Sequence, residues 1–120
     1  MSGKSTCIIA ATALMLMFGV VMANAVYVKS SADRILSLID ASEGNNESIQ
    51  RIFECWKKSL PLLKLSLSQK ELEDITLNIN EAIICSKKND TEEYKRLMAR
   101  LRRAIENIKK REEFSLENIF

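Results

Sequence analysis

The sequence predicts an all-α protein: an N-terminal transmembrane helix followed by a small antiparallel helical bundle of three to four helices. Three observations predict it. Residues 7–28 form a 22-residue run without a charged side chain. Beyond that run, apolar residues recur at intervals of three and four behind recognisable helix starts. Neither β alternation nor a β-branched run bounded by hairpin turns appears after Val28.

The chain has 120 residues, 47% hydrophobic and 28% charged, which allows one small domain. The average hides a split. Lys4 is the only charge in residues 1–28, so the other 92 residues hold 17 basic and 16 acidic side chains. A bilayer core takes about 20 apolar residues as a helix, so residues 7–28 suit one span, with Tyr27 at an interfacial position. Two other readings stand beside it. A cleaved signal peptide fits Lys4 as a basic flank and Ala23-Asn24-Ala25 as an A-x-A site, although its apolar core is normally about 7–15 residues. A buried core helix would have to hide apolar surface on every side of a small domain. Length favours the uncleaved anchor, with residues 1–28 as the anchor segment and 29–120 as the helical domain. Lys4 before the span and Lys29 and Arg34 after it nearly balance. A short N-terminus ahead of the main domain is the arrangement of a secretory signal-anchor, which puts the domain outside the cytoplasm.

The domain begins with residues 30–42, which carry Ala32, Ile35, Leu36 and Ile39 at helical spacing, and nothing before Ser31 separates them from the membrane helix. Glu43-Gly44-Asn45-Asn46 is the first punctuation, Gly44 suiting a helix end and Asn the next N-cap. A second helix over residues 47–65 puts Ile49, Ile52, Phe53, Trp56, Leu60 and Leu63 on one stripe. Pro61 lacks a backbone N–H and is expected to kink or end that helix near Leu60. Ser68-Gln69-Lys70-Glu71 is a capping box that opens a third helix with Leu72, Ile75, Ile79, Ala82 and Ile83 on its apolar side. Lys87 and Lys88 suit its negative end. Asp90 caps a fourth helix with Glu92 and Glu93 in its first turn. Its stripe is Tyr94, Leu97, Met98, Leu101, Ala104, Ile105 and Ile108. Phe114, Leu116, Ile119 and Phe120 are expected to fold back over the core.

Chemistry finds little purchase. The chain has no His, the usual neutral-pH acid–base residue and commonest metal ligand. Gly3-Lys4-Ser5-Thr6 imitates the end of a phosphate-binding loop but lacks the preceding strand and upstream Gly. Cys7 lies at the membrane edge as an apolar residue or a palmitoylation site. With a hairpin turn near Ser66, Cys55 and Cys85 are offset by about 12 Å along the axis, too far for a disulfide. Two domain cysteines without His make a poor zinc set. Glu71, Glu73 and Asp74, like Glu92 and Glu93, sit where helix dipoles favour acids. The expectation is a non-enzyme without a cofactor or a small-molecule substrate.

Charge distribution says more. Residues 87–111 hold ten basic and four acidic side chains, against seven and nine in residues 29–86. Arg96, Arg100 and Arg103 recur at i, i+4 and i+7. They suit a solvated face with pairing such as Glu92 with Arg96, or contact with anionic headgroups or an acidic partner. Nucleic acid is not expected, since the few aromatics lie on apolar stripes. Trp56, the only Trp, suits a core anchor or a partner hot spot.

Taken together, these residues resemble an uncharacterised family known mainly from Firmicutes bacteria, domain of unknown function 4363. The resemblance rests on the anchor's position, on Trp56-Lys57-Lys58 and on Glu71-Leu72-Glu73-Asp74-Ile75. The late helix around residues 94–101 and the ending Phe114-Ser115-Leu116-Glu117-Asn118-Ile119-Phe120 add to it. It implies a small single-pass helical protein and no activity. Relatives often have a His just before the third helix, where this chain has Gln69, so no shared His chemistry carries over. The function expected is a membrane-anchored interaction protein that binds a protein partner at the membrane surface. The alternative is an extracytoplasmic sensory or ligand-binding bundle.

Overall fold

The apolar run continues without a break into the charged part of the chain. In the computed structural model, which describes residues 3–42 and 45–119, α1 is one helix of 38 residues, Gly3–Asp40. At 1.5 Å per residue it is about 57 Å long, most of the molecule's 70 Å length. Its apolar window is unburied, with a mean hydropathy of 2.3. Burial begins at Ala25 and continues through Val28, Ser31, Ala32, Ile35 and Ile39. The stripe expected of residues 30–42 is therefore the inner face of a helix that starts far outside the bundle.

Three further helices complete the fold: α2 at Asn46–Leu63, α3 at Gln69–Lys87 and α4 at Thr91–Ile119. Local chemistry sets most of their ends. The Asn45 side chain accepts from the Ser48 N–H at 2.8 Å and starts α2. Gly44 lies outside the described residues. Ser68 and Glu71 form the reciprocal capping box of α3, with bonds of 3.2 and 3.0 Å. Asp90 accepts from the Glu93 N–H at 3.3 Å at the start of α4. The end of α3 uses a device that the sequence reading missed. Asn89 adopts the left-handed conformation at φ 55°, while the Asp90 N–H bonds Cys85 O and the Asn89 N–H bonds Ser86 O. That pattern closes a helix through a residue usually Gly, sometimes Asn. Replacing Ser68 with Ala is expected to cost about 1 kcal/mol, read as a lower urea midpoint with unchanged slope.

Successive helices run antiparallel. α1 packs on α2 and α4, and α3 packs on the same two. Ion pairs fix how α4 passes α1: Asp40 pairs with Arg102, Asp33 with Lys109 at 2.7 Å and Lys29 with Glu113 at 3.6 Å. Each step down α1 is matched by a step up α4. The core joins Val28 and Ile35, Ile49, Ile52 and Trp56, Ile75 and Ile79, and Leu101 and Ile105, one set from each helix.

Two expectations need correction. Of the kink or end expected at Pro61, the end does not fall near Leu60, because α2 continues to Leu63. Pro61 is exposed in the final turn, where the single donor it lacks deprives only one carbonyl open to solvent. Nor does Phe114 fold back over the core. α4 continues to Ile119, and Phe114 is 66% exposed. Its charged residues favour helix, and the pairs with α1 extend that preference past residue 110. Phe120 lies outside the described residues.

Candidate functional site

Trp56 is 1% exposed, and its indole N–H donates to the Thr76 hydroxyl at 2.9 Å across α2 and α3. It borders an interior void of only about 10 Å³ with Val28, Ala32, Ile35 and Ile105. The helical spacing from Phe53 and Leu60 thus delivers a core anchor. Nearly all of its surface lies inside the bundle.

Of the five arginines of α4, the three picked out by spacing, Arg96, Arg100 and Arg103, have different surroundings. Arg96 pairs with Glu93 at 2.6 Å, not with Glu92 as expected. Both spacings bring an acid beside the guanidinium on a helix, and Glu92 is left exposed. The pair raises the Arg96 pKa, chiefly through the hydrogen bond to Glu93. Arg100 borders an open groove of about 390 Å³ between α3 and α4, beside Asp74, Asn78 and Glu81. Arg103 is exposed farther along. Among the described residues, neither Arg100 nor Arg103 makes an ion pair.

Asn78 went unnoticed in the sequence. It occupies a stripe position between Ile75 and Ala82, and that polar interruption was the available signal. It is 6% exposed, donates to Leu97 O at 3.2 Å and leaves its own side-chain oxygen without a partner. A second open groove, about 520 Å³, runs between α2 and α3. Leu60, Leu72 and Leu77 supply its apolar wall, and Lys64, Gln69, Glu73 and Asn80 its polar margin. Thr76 in that wall is fixed from behind by the Trp56 indole. Leu77, 58% exposed, borders both grooves.

Glu71 couples the start of α3 to the last third of α4. Arg111 grips it with two bonds, 2.6 and 3.2 Å. That grip is the main reason its carboxyl titrates below 4.5, with the Ser68 N–H adding to it against partial burial. A carboxyl lowered on folding contributes stability above its unfolded value, which vanishes as pH falls through the folded one. Both partners are about one-third exposed or more, so Arg111→Met is expected to cost at most about 1 kcal/mol at neutral pH. The gap between variant and wild type should close below pH 4.5, measured by urea unfolding across pH.

Cys7, Cys55 and Cys85 are free thiols, exposed, buried and half-buried respectively. Burial, then Asp90, pushes the Cys85 thiol pKa up, which lowers its reactivity. Among the described residues no group of three or more Cys, Asp or Glu is placed to hold a metal ion.

The geometry defines a class: a small four-helix bundle carried on a first helix whose outer half is long, apolar and uncovered. Its open grooves are lined by mixed apolar and polar side chains. The chain belongs to the family described as Domain of unknown function (DUF4363), which matches residues 25–119. The match begins at Ala25, the first buried residue of α1, and takes in the other three helices. No match was found among curated proteins or among solved structures.

Proposed function

We propose that this is a bacterial, single-pass membrane protein whose extracytoplasmic bundle binds a protein partner at the membrane surface without chemistry of its own. The observation that carries the reading is α1. Its apolar window is unburied and long enough to cross a bilayer, and the same helix continues unbroken into the core. Ala25 is 6% exposed, and the Asn24 amide donates to the Ser66 hydroxyl, so the last two residues of the A-x-A triplet pack on the bundle. That supports an uncleaved anchor. The α2/α3 groove, with Leu77 at its edge, offers an apolar anchor point inside a polar margin, the usual make-up of a transient binding face. A non-catalytic role agrees with the absence of His and with carboxylates such as Glu71 already engaged by cations.

A photo-crosslinking residue at Leu77 in native membranes tests the reading. One recurrent adduct at Leu77, missing when the crosslinker is moved to Lys95, is the expected result. Absence of any adduct at Leu77 would overturn partner binding through this groove.

One observation favours the alternative of a sensory or ligand-binding bundle. Asn78 and Arg100 both line the α3/α4 groove, and the partnerless side-chain oxygen of Asn78 is buried behind that lining, so a small polar ligand would meet a cation at once and an acceptor once the amide shifts.

A further inference from the structure

The lower end of the bundle meets the level at which the apolar half of α1 stops. Twenty residues ending at Asn24 cover about 30 Å of helix, the thickness of a hydrocarbon core. Asn24 then stands at the boundary, and its contact with Ser66 ties the α2–α3 turn to that level. From the other side, the pairs of Asp33 with Lys109 and Lys29 with Glu113 set the register of α4. Extended at helical rise, that register brings the last turns of α4 beside residues 24–28 of α1.

Outside α1, five large apolar side chains are exposed among the described residues: Leu62, Leu65, Leu77, Ile84 and Phe114. Three of the five lie at this end. Leu65, in the turn, is 72% exposed, and Phe114, near the end of α4, is 66% exposed. Lys64 stands between Leu62 and Leu65, where a long stem can lie along acyl chains with its ammonium in the headgroups. Other charges here are mixed: Arg111 pairs with Glu71 and Lys29 with Glu113, and Lys70 and Glu112 add one of each sign. Apolar burial, rather than attraction to anionic lipid, is the recognition this end supports.

We propose that the α2–α3 turn and the end of α4 seat Leu62, Leu65 and Phe114 in the headgroup–acyl boundary of the bilayer that α1 crosses. The inference rests on the anchor reading of α1. It adds two contacts to the span, so the bundle stands on the membrane at three points instead of swinging from one.

Depth-dependent quenching tests it in the full chain, reconstituted at low density in phosphatidylcholine vesicles. With the native cysteines replaced, an environment-sensitive fluorophore is attached in turn at Leu14→Cys, Leu65→Cys, Phe114→Cys and Thr91→Cys. Lipids spin-labelled near the headgroup should quench Leu65 and Phe114, with blue-shifted emission at both. Thr91, at the opposite end of the bundle, should respond only to an aqueous quencher. If Leu14 is quenched by a deep label while Leu65 and Phe114 behave like Thr91, the seating is wrong and the anchor stands. If Leu14 is reached only by the aqueous quencher, the anchor and the seating both fall. Protection of Leu65 from both quenchers that grows with protein density would assign the face to a second copy and overturn the proposal. Leu65→Trp repeats the measurement with every native cysteine kept. Brominated lipid should then remove the added emission and leave that of buried Trp56.

Discussion

Trp56→Ala is expected to be the most destabilising single substitution in the bundle, costing about 3–5 kcal/mol. The side chain is 1% exposed, and the space beside it is about 10 Å³, roughly one water probe. Neighbours from α1, α2 and α4 border that space, so the vacancy could shrink only if several helices moved together. A domain of this size has about 5–15 kcal/mol in total, so the substitution removes a large share. At about 4–8 °C per kcal/mol, the thermal midpoint in detergent should fall by roughly 15–30 °C. Trp56→Phe keeps most of the volume and loses the bond to Thr76, which is half-buried and can turn to water. Its cost should be a fraction of the alanine value. Equal, small losses in both variants would mean that the indole is not the central packing element of the bundle.

The second large effect concerns α1. Leu14 and Met17 are 67% and 66% exposed and touch no part of the bundle core. Arg at both positions should therefore leave the bundle folded while adding about 2.5–3.5 kcal/mol each to membrane insertion. The expected result is loss of the protein from carbonate-washed membranes, with helical content and unfolding midpoint retained. Unchanged membrane retention would contradict a span at this position. A mature N-terminus at Val26 would contradict it as well.

What could be read from the sequence divides by range. The Ser68 capping box, the Asp90 cap and the Asn45 cap need only three or four neighbouring residues, so their chemistry is written in one stretch of chain. Stripes such as Ile75, Ile79 and Ala82 are similarly local, since helical period alone decides which side is buried. Pro61 was misjudged because its effect depends on distance from the helix end, which its own neighbours do not fix. The straight course of α4 was missed for a different reason. Its pairs with Asp33 and Lys29 join residues more than 70 positions apart, and no periodicity announces them. Of the candidate site, Arg100 and Trp56 were named from spacing, but their surroundings were not. The two grooves at Leu77 arise where α2 and α4 pass on either side of α3, a property of three surfaces together. Asn78 was visible as one polar residue on an apolar stripe, though its unpaired oxygen depends on where Leu97 falls.

The unbroken course of α1 also gears the two halves of the molecule together. A helix advances about 100° per residue, so the compass bearing of the Leu77 groove is locked to the bearing of each face inside the bilayer. One extra residue inserted near Val21 would swing the bundle by about 100° relative to the faces of the span below it, and four would return it to within about 40°. A partner that grasped both the span and the bundle would register that phase, whereas one that grasped only the bundle would be indifferent to it.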